Sequence, residues 1–85
     1  MLTKADRQQQ YKALERIREI RIENIRKLRD RYGSWAALSR ALGLHLAYLT
    51  HIAGPNPRKA IGEEFARNVE VTLKLPTHWL DNVHK

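Results

Sequence analysis

The side chains of this chain that could bind a metal or move protons are four histidines and a few carboxylates. Their spacing argues against both chemistries. His45 and His51 lie six residues apart, which on a helix does not place them on one face, and His78 and His84 stand alone. No cysteine and no HExxH pattern accompanies them, so a metal centre is not expected. The adjacent Glu63 and Glu64 fit the acids that favour a helix N-terminus better than they fit a catalytic pair. There is no glycine-rich phosphate loop and no nucleophile motif. Neither an enzyme nor a cofactor is expected. What dominates instead is positive charge: the 85 residues carry a net +7, which points to a polyanion, with DNA, RNA and anionic lipid all open on charge alone. Residues 1–31 hold ten of the sixteen Lys and Arg and five of the nine acids, and therefore +5 of that +7.

The elements that would present this charge are readable from Ser34 to Gly54, SWAALSRALGLHLAYLTHIAG. Counted from Trp35, the apolar residues Leu38, Leu42, Leu44, Leu49 and Ile52 occupy places 4, 8, 10, 15 and 18, and Gly43 occupies place 9. The spacing describes two short helices joined by a tight turn over one buried seam, with the small Ser39 where they come closest. This is the pattern of a helix-turn-helix, whose second helix lies in the DNA major groove.

The rest of the chain predicts more helix and no strand. From Met1 to Tyr32 there is neither proline nor glycine. Thr3 and Asp6 form a shortened capping box, so a helix starts near Lys4. Tyr11, Leu14, Ile17, Ile22, Ile25, Leu28 and Tyr32 fall in one apolar stripe, with Ile20 outside it. One unbroken helix of this span would be about 43 Å long, so a break near Arg18 to Arg21 is weighed equally with continuity. On its basic face, pairing of Glu15 and Glu19 with Arg16 and Arg18 competes with a DNA-contacting role. Gly33 ends this helix and Ser34 caps the next. Gly54-Pro55-Asn56-Pro57 forms a loop leading to Arg58 and Lys59. A further helix over roughly 61–74 places Ile61, Phe65, Val69 and Leu73 on one line, with Val71 off it. Pro76 ends that helix, and Thr77 caps a last short turn bearing Trp79, Leu80 and Val83. The expected organisation is a basic helical extension, 1–20, and a helix-turn-helix domain, 21–85, within one all-α unit. No apolar run is long enough for a membrane span or a signal peptide, and a cytoplasmic bacterial protein, associated with nucleoid or plasmid, is expected.

The order of elements resembles the Cro and lambda-repressor family. The resemblance rests on Asn24-Ile25-Arg26-Lys27-Leu28, Gly33-Ser34, the helix-turn-helix, Ile61-Gly62-Glu63-Glu64 with Ala66-Arg67, and Leu75-Pro76-Thr77-His78-Trp79-Leu80-Asp81. It runs from about Ile22 to Asp81. Within the family the chain is similar to small plasmid and phage repressors. The resemblance implies a lambda-repressor-like bundle of about five helices with an extended N-terminal helix. It also implies that His45, Leu46, Ala47, Thr50 and His51 face the bases. Leu46 and Ala47 suit thymine methyl groups, Thr50 can donate to a phosphate or base edge, and His51 can donate to guanine N7 or O6. Many family members carry glutamine or serine where this chain has Leu46 and Ala47. The recognition helix therefore lacks bidentate readers, and affinity leans on phosphate contacts and DNA shape.

For the phosphates, the candidates are Arg40, on the side of its helix away from Leu38 and Leu42, with Arg58, Lys59 and the helix starts at Ser34-Trp35 and Ile61. Trp35 either offers its indole N–H to a phosphate or packs on the first helix. One recognition helix reads few base pairs, so a homodimer on an inverted-repeat operator is expected, with half-sites about one turn apart. The candidate dimer surfaces are Tyr11, Leu14 and Ile17 in the extension and Trp79, Leu80 and Val83 at the C-terminus, each of which could instead complete the core. The expectation is a sequence-specific transcriptional repressor. The alternative is an antitoxin-type DNA-binding module whose main role is gripping a partner protein.

Overall fold

Helix α1, Lys4–Tyr32, occupies the stretch without proline or glycine and passes through Arg18 to Arg21 without a break. The computed structural model describes residues 4–57 and 61–84, with side chains described from Glu15 onward. Thr3, the side chains of Tyr11 and Leu14, and all of Arg58 and Lys59 lie outside the described residues. Among the described side chains of α1, Arg21 is the first fully buried one, Ile17 and Ile20 are half-buried, and Glu15, Arg16, Arg18 and Glu19 are exposed. Of the charge pairs expected on this face, Arg16–Glu19 forms, at 3.9 Å with both side chains open to water, and such a pair contributes little.

Three shorter helices and a 3-10 turn follow: α2 Trp35–Leu42, α3 Leu46–Ala53, α4 Glu63–Thr72 and the turn Trp79–Asp81. The domain is all-α, as the sequence predicts, with no strand among the described residues. α1 gives Ile25 and Leu28 to the core, α2 gives Leu38, α3 gives Leu49, Ile52 and Ala53, and α4 gives Ala66 and Val69. Each fully buried Leu or Ile contributes about 1.5–3 kcal/mol of transfer free energy. Leu80 is also completely buried in this core. It therefore has no surface to offer a partner, which removes it from the expected dimer contact; Trp79 is half-buried against the same core, while Val83 is 60% exposed.

Helix α4 is shorter than the expected 61–74. Gly62 is its N-cap, and its end is set not by Pro76 but by a left-handed residue. Lys74 has φ 58°, with its N–H donating to the Val71 carbonyl and the Leu75 N–H to the Glu70 carbonyl at 2.7 Å. That pattern closes a helix whatever follows it. Val71, off the apolar line, is 77% exposed. Thr77 does not cap the last turn: His78 takes the N-cap position at φ 69°, without a side-chain cap bond.

A polar network does that capping and ties the C-terminal segment to α1 and α4. Glu70 is 2% exposed, and its carboxylate accepts the N–H of His78 at 3.0 Å and of Leu80 at 2.8 Å. Arg67 Nε lies 2.8 Å from the same carboxylate without the alignment of a hydrogen bond; its NH2 donates to Glu70 Oε2 at 3.2 Å. On α1, Asn24 donates to the carbonyls of Leu80 and Asn82, both at 2.8 Å. Arg21 is buried and donates to Asp81 Oδ1 at 2.7 Å, to the Ile61 carbonyl at 2.9 Å and to Glu63 at 2.7 Å. The Arg21 hydrogen bond, reinforced by Arg67 and His78, holds the Asp81 carboxyl well below the usual carboxylate range although burial opposes this.

Candidate nucleic-acid interface

The two helices of the motif are joined where the sequence places the turn. Ser34 caps α2, its Oγ accepting the Ala37 N–H at 3.0 Å. Gly43 closes α2 in the left-handed region at φ 69°, where a side chain would be strained. The Gly43 N–H donates to Arg40 and the Leu44 N–H to Ser39 at 2.9 Å, reversing the chain within three residues. Ser39 is buried between the helices, with its hydroxyl donating to the Ala36 carbonyl at 2.7 Å. A larger residue there would push α2 and α3 apart.

This geometry divides α3 into two faces. Leu49, Ile52 and Ala53 are buried, while His45, Leu46, Ala47 and His51 are exposed and Thr50 is half-exposed. Leu46, at 46% exposure, is a large apolar side chain left open to water. The five residues that the resemblance directs at bases are thus all at least partly accessible. The Thr50 hydroxyl donates to the Ala47 carbonyl at 3.0 Å, so its donor is already engaged and its lone pairs are what remain free. Tyr48 shares the exposed surface, and sequence reasoning did not single it out. Its ring meets Phe65 of α4 at 5.6 Å between centroids.

The backbone candidates are distributed unevenly. Arg40 is exposed and makes no ion pair among the described residues. Trp35 is half-buried and packs on the core, with the Arg29 guanidinium 5.0 Å from its ring centroid; this is the packing role weighed against phosphate contact. The start of α4 carries Glu63 and Glu64 in its first turn, so its positive end is already met by carboxylates. One signal in the sequence went unread. No Asp or Glu occurs between Asp30 and Glu63, so the whole helix-turn-helix is free of acids, and the carboxylates of the domain sit on α1, on α4 and in the last turn.

Among the described residues, one group could geometrically gather around a cation: Glu63, His78 and Asp81, whose ligand atoms lie within 4.8 Å of one another. Arg21 and Arg67 already bind these carboxylates, at 2.7–2.9 Å. The cluster thus belongs to an ion-pair network in which two guanidiniums already occupy the carboxylates. His45 and His51 are not part of it.

Among the described residues, four α-helices, a glycine turn and an acid-free second motif helix with an exposed side define a helix-turn-helix protein. The chain's likeness to a prophage repressor supports a phage-repressor-like helix-turn-helix family. It is similar to the prophage repressor CohE of Escherichia coli K12, with 32% identity over 72 residues, 85% of this chain. The chain spans about a third of that relative's length, 32%. No protein-family model matches it, and no solved structure does. No helix among the described residues is long and apolar enough to cross a membrane.

Proposed function

We propose that this protein is a sequence-specific DNA-binding repressor that seats α3 in the major groove of an inverted-repeat operator as a homodimer. The observation that carries this is the division of α3: His45, Leu46, Ala47 and His51 stand outward while Leu49 and Ile52 anchor the helix in the core. An exposed apolar pair, Leu46 and Ala47, suits thymine methyl groups, and the absence of acids from the motif suits a phosphate-lined groove. Arg40 serves the phosphates of the operator, with Arg58, Lys59 and the first amides of α2, at Ser34 and Trp35, as the further contacts. The similarity to a prophage repressor supports repression by operator occupancy in the bacterial cytoplasm.

Two copies are needed because one recognition helix buries too little surface for tight specific binding. We assign the stripe Tyr11, Leu14 and Ile17 of α1 to the contact between copies, together with the exposed Val83 and the half-buried Trp79. Ala47→Lys tests the reading. A long cation on the centre of the exposed face should abolish preference for the selected operator while the circular dichroism spectrum and Tm stay at wild-type values. Unaltered operator affinity would show that this face does not meet DNA.

A further inference from the structure

Helix α3 is two turns long, and its two ends are held differently. At its N-terminus His45 makes no side-chain cap bond. At its C-terminus Arg26 reaches across from α1: Nε donates to the Ala53 carbonyl at 2.9 Å and NH2 to the Gly54 carbonyl at 2.8 Å. These carbonyls have no partner within the helix, and a cation beside them complements the negative end of the helix dipole. The guanidinium is a planar fork, so two bonds to successive carbonyls fix a direction as well as a distance. The backbone closes tightly at this point, since a Cβ on Gly54 would stand 2.5 Å from the Thr50 carbonyl oxygen. Arg26 is half-buried, forms no ion pair among the described residues, and lines a cleft with Pro57, so it also underlies the loop that leaves α3.

We propose that Arg26 is a positioning residue for DNA reading. It sets the angle of α3 relative to α1, and through it the placement of His45, Leu46 and Ala47 on the base edges, without itself contacting a phosphate. The proposal rests on the reading of α3 as the recognition helix and adds to it a device outside the motif. It separates Arg26 from Arg40, Arg58 and Lys59: those act through charge on the DNA backbone, whereas Arg26 acts through the protein.

Two variants of the full chain test this. Arg26→Met keeps the aliphatic stem and loses both bonds; Arg26→Lys restores a cation able to reach one carbonyl. Amide hydrogen exchange on the free protein is read first. In Arg26→Met the α3 amides should exchange about tenfold faster, the equivalent of 1.4 kcal/mol, while α2 and α4 keep wild-type rates and Arg26→Lys falls between. Unchanged α3 rates, or equal acceleration of every helix, would overturn the proposal. Affinity is then measured across a range of salt, for a duplex enriched by the wild-type protein from a random pool and for a scrambled duplex. Arg26→Met should lose about tenfold on the enriched duplex alone, with the salt slope unchanged. A slope reduced by about 0.9 on both duplexes is the signature of a lost phosphate contact and would overturn it. If the wild-type protein enriches no duplex, the DNA role falls with the reading of α3, and the exchange result alone decides whether Arg26 anchors that helix.

Discussion

Replacing Arg21 by methionine removes the buried guanidinium that joins α1 to α4 and to the last turn while keeping most of its apolar stem. The cost can be assembled contact by contact. The Ile61 carbonyl, which accepts from Arg21 at 2.9 Å, loses that donor in a buried setting, at about 1–3 kcal/mol. Asp81 loses one of two guanidiniums but keeps Arg67 at 2.9 Å, so it is not left as an isolated charge; about 1–2 kcal/mol is appropriate, below the cost of breaking a lone buried pair. Glu63 is 65% exposed, and its share is under about 1 kcal/mol. The total is about 2–6 kcal/mol, and its midpoint of about 4 kcal/mol lowers Tm by about 16–32 °C for a domain of this size. Urea unfolding followed by circular dichroism measures the loss, and a cycle with Asp81→Asn isolates the coupling between the two residues. The dependence on pH supplies a second check. Asp81 has a folded pKa below its ordinary 3.8, so its contribution is complete at neutral pH and is lost as pH falls below about 4. The gap between wild type and Arg21→Met should therefore narrow on acidification. A loss under about 1 kcal/mol at pH 7, no greater than that of an exposed pair, would refute the assignment of a structural role to this network.

Other perturbations separate the parts of the account. Arg40→Ala should weaken binding to all duplexes and reduce the salt slope by about 0.9, one phosphate contact, which titrations between low and physiological salt will resolve. Deleting residues 1–18 should lower the association constant of the dimer in sedimentation equilibrium, and an undiminished dimer would remove the N-terminal stripe from the interface. Lys74→Gly relieves a left-handed backbone at an exposed site and should raise stability by about 0.5–1 kcal/mol, measured by the same urea titration.

The parts of the fold that were legible share a local cause. The helix-turn-helix could be bounded at 34–54 because its signals, Ser34 as cap, Gly43 in the turn and the seam of leucines, act on residues a few positions away. Polar residues with distant partners were harder to read. Arg21 lies within the apolar stripe of α1, and that angular position does signal burial. Its partners, however, lie 40 to 60 residues along the chain, beyond the reach of any periodicity. Glu70 looks like an ordinary helix-surface acid until the last turn folds onto it. The same distance effect left Leu80 undecided: as an apolar residue in a short terminal segment it suited either a partner or the core, and the caps from Asn24 and Glu70 turn it inward. The end of α4 was missed because it depends on Lys74 adopting a conformation that lysine rarely takes.

The most direct measurement of the central claim is selection of duplexes from a random DNA pool at near-physiological salt, followed by sequencing of those retained. The account predicts an enriched inverted repeat with half-sites about one helical turn apart. Retention without enrichment would mean that the +7 charge binds polyanions generically, and would contradict the assignment of α3 as a reader of sequence.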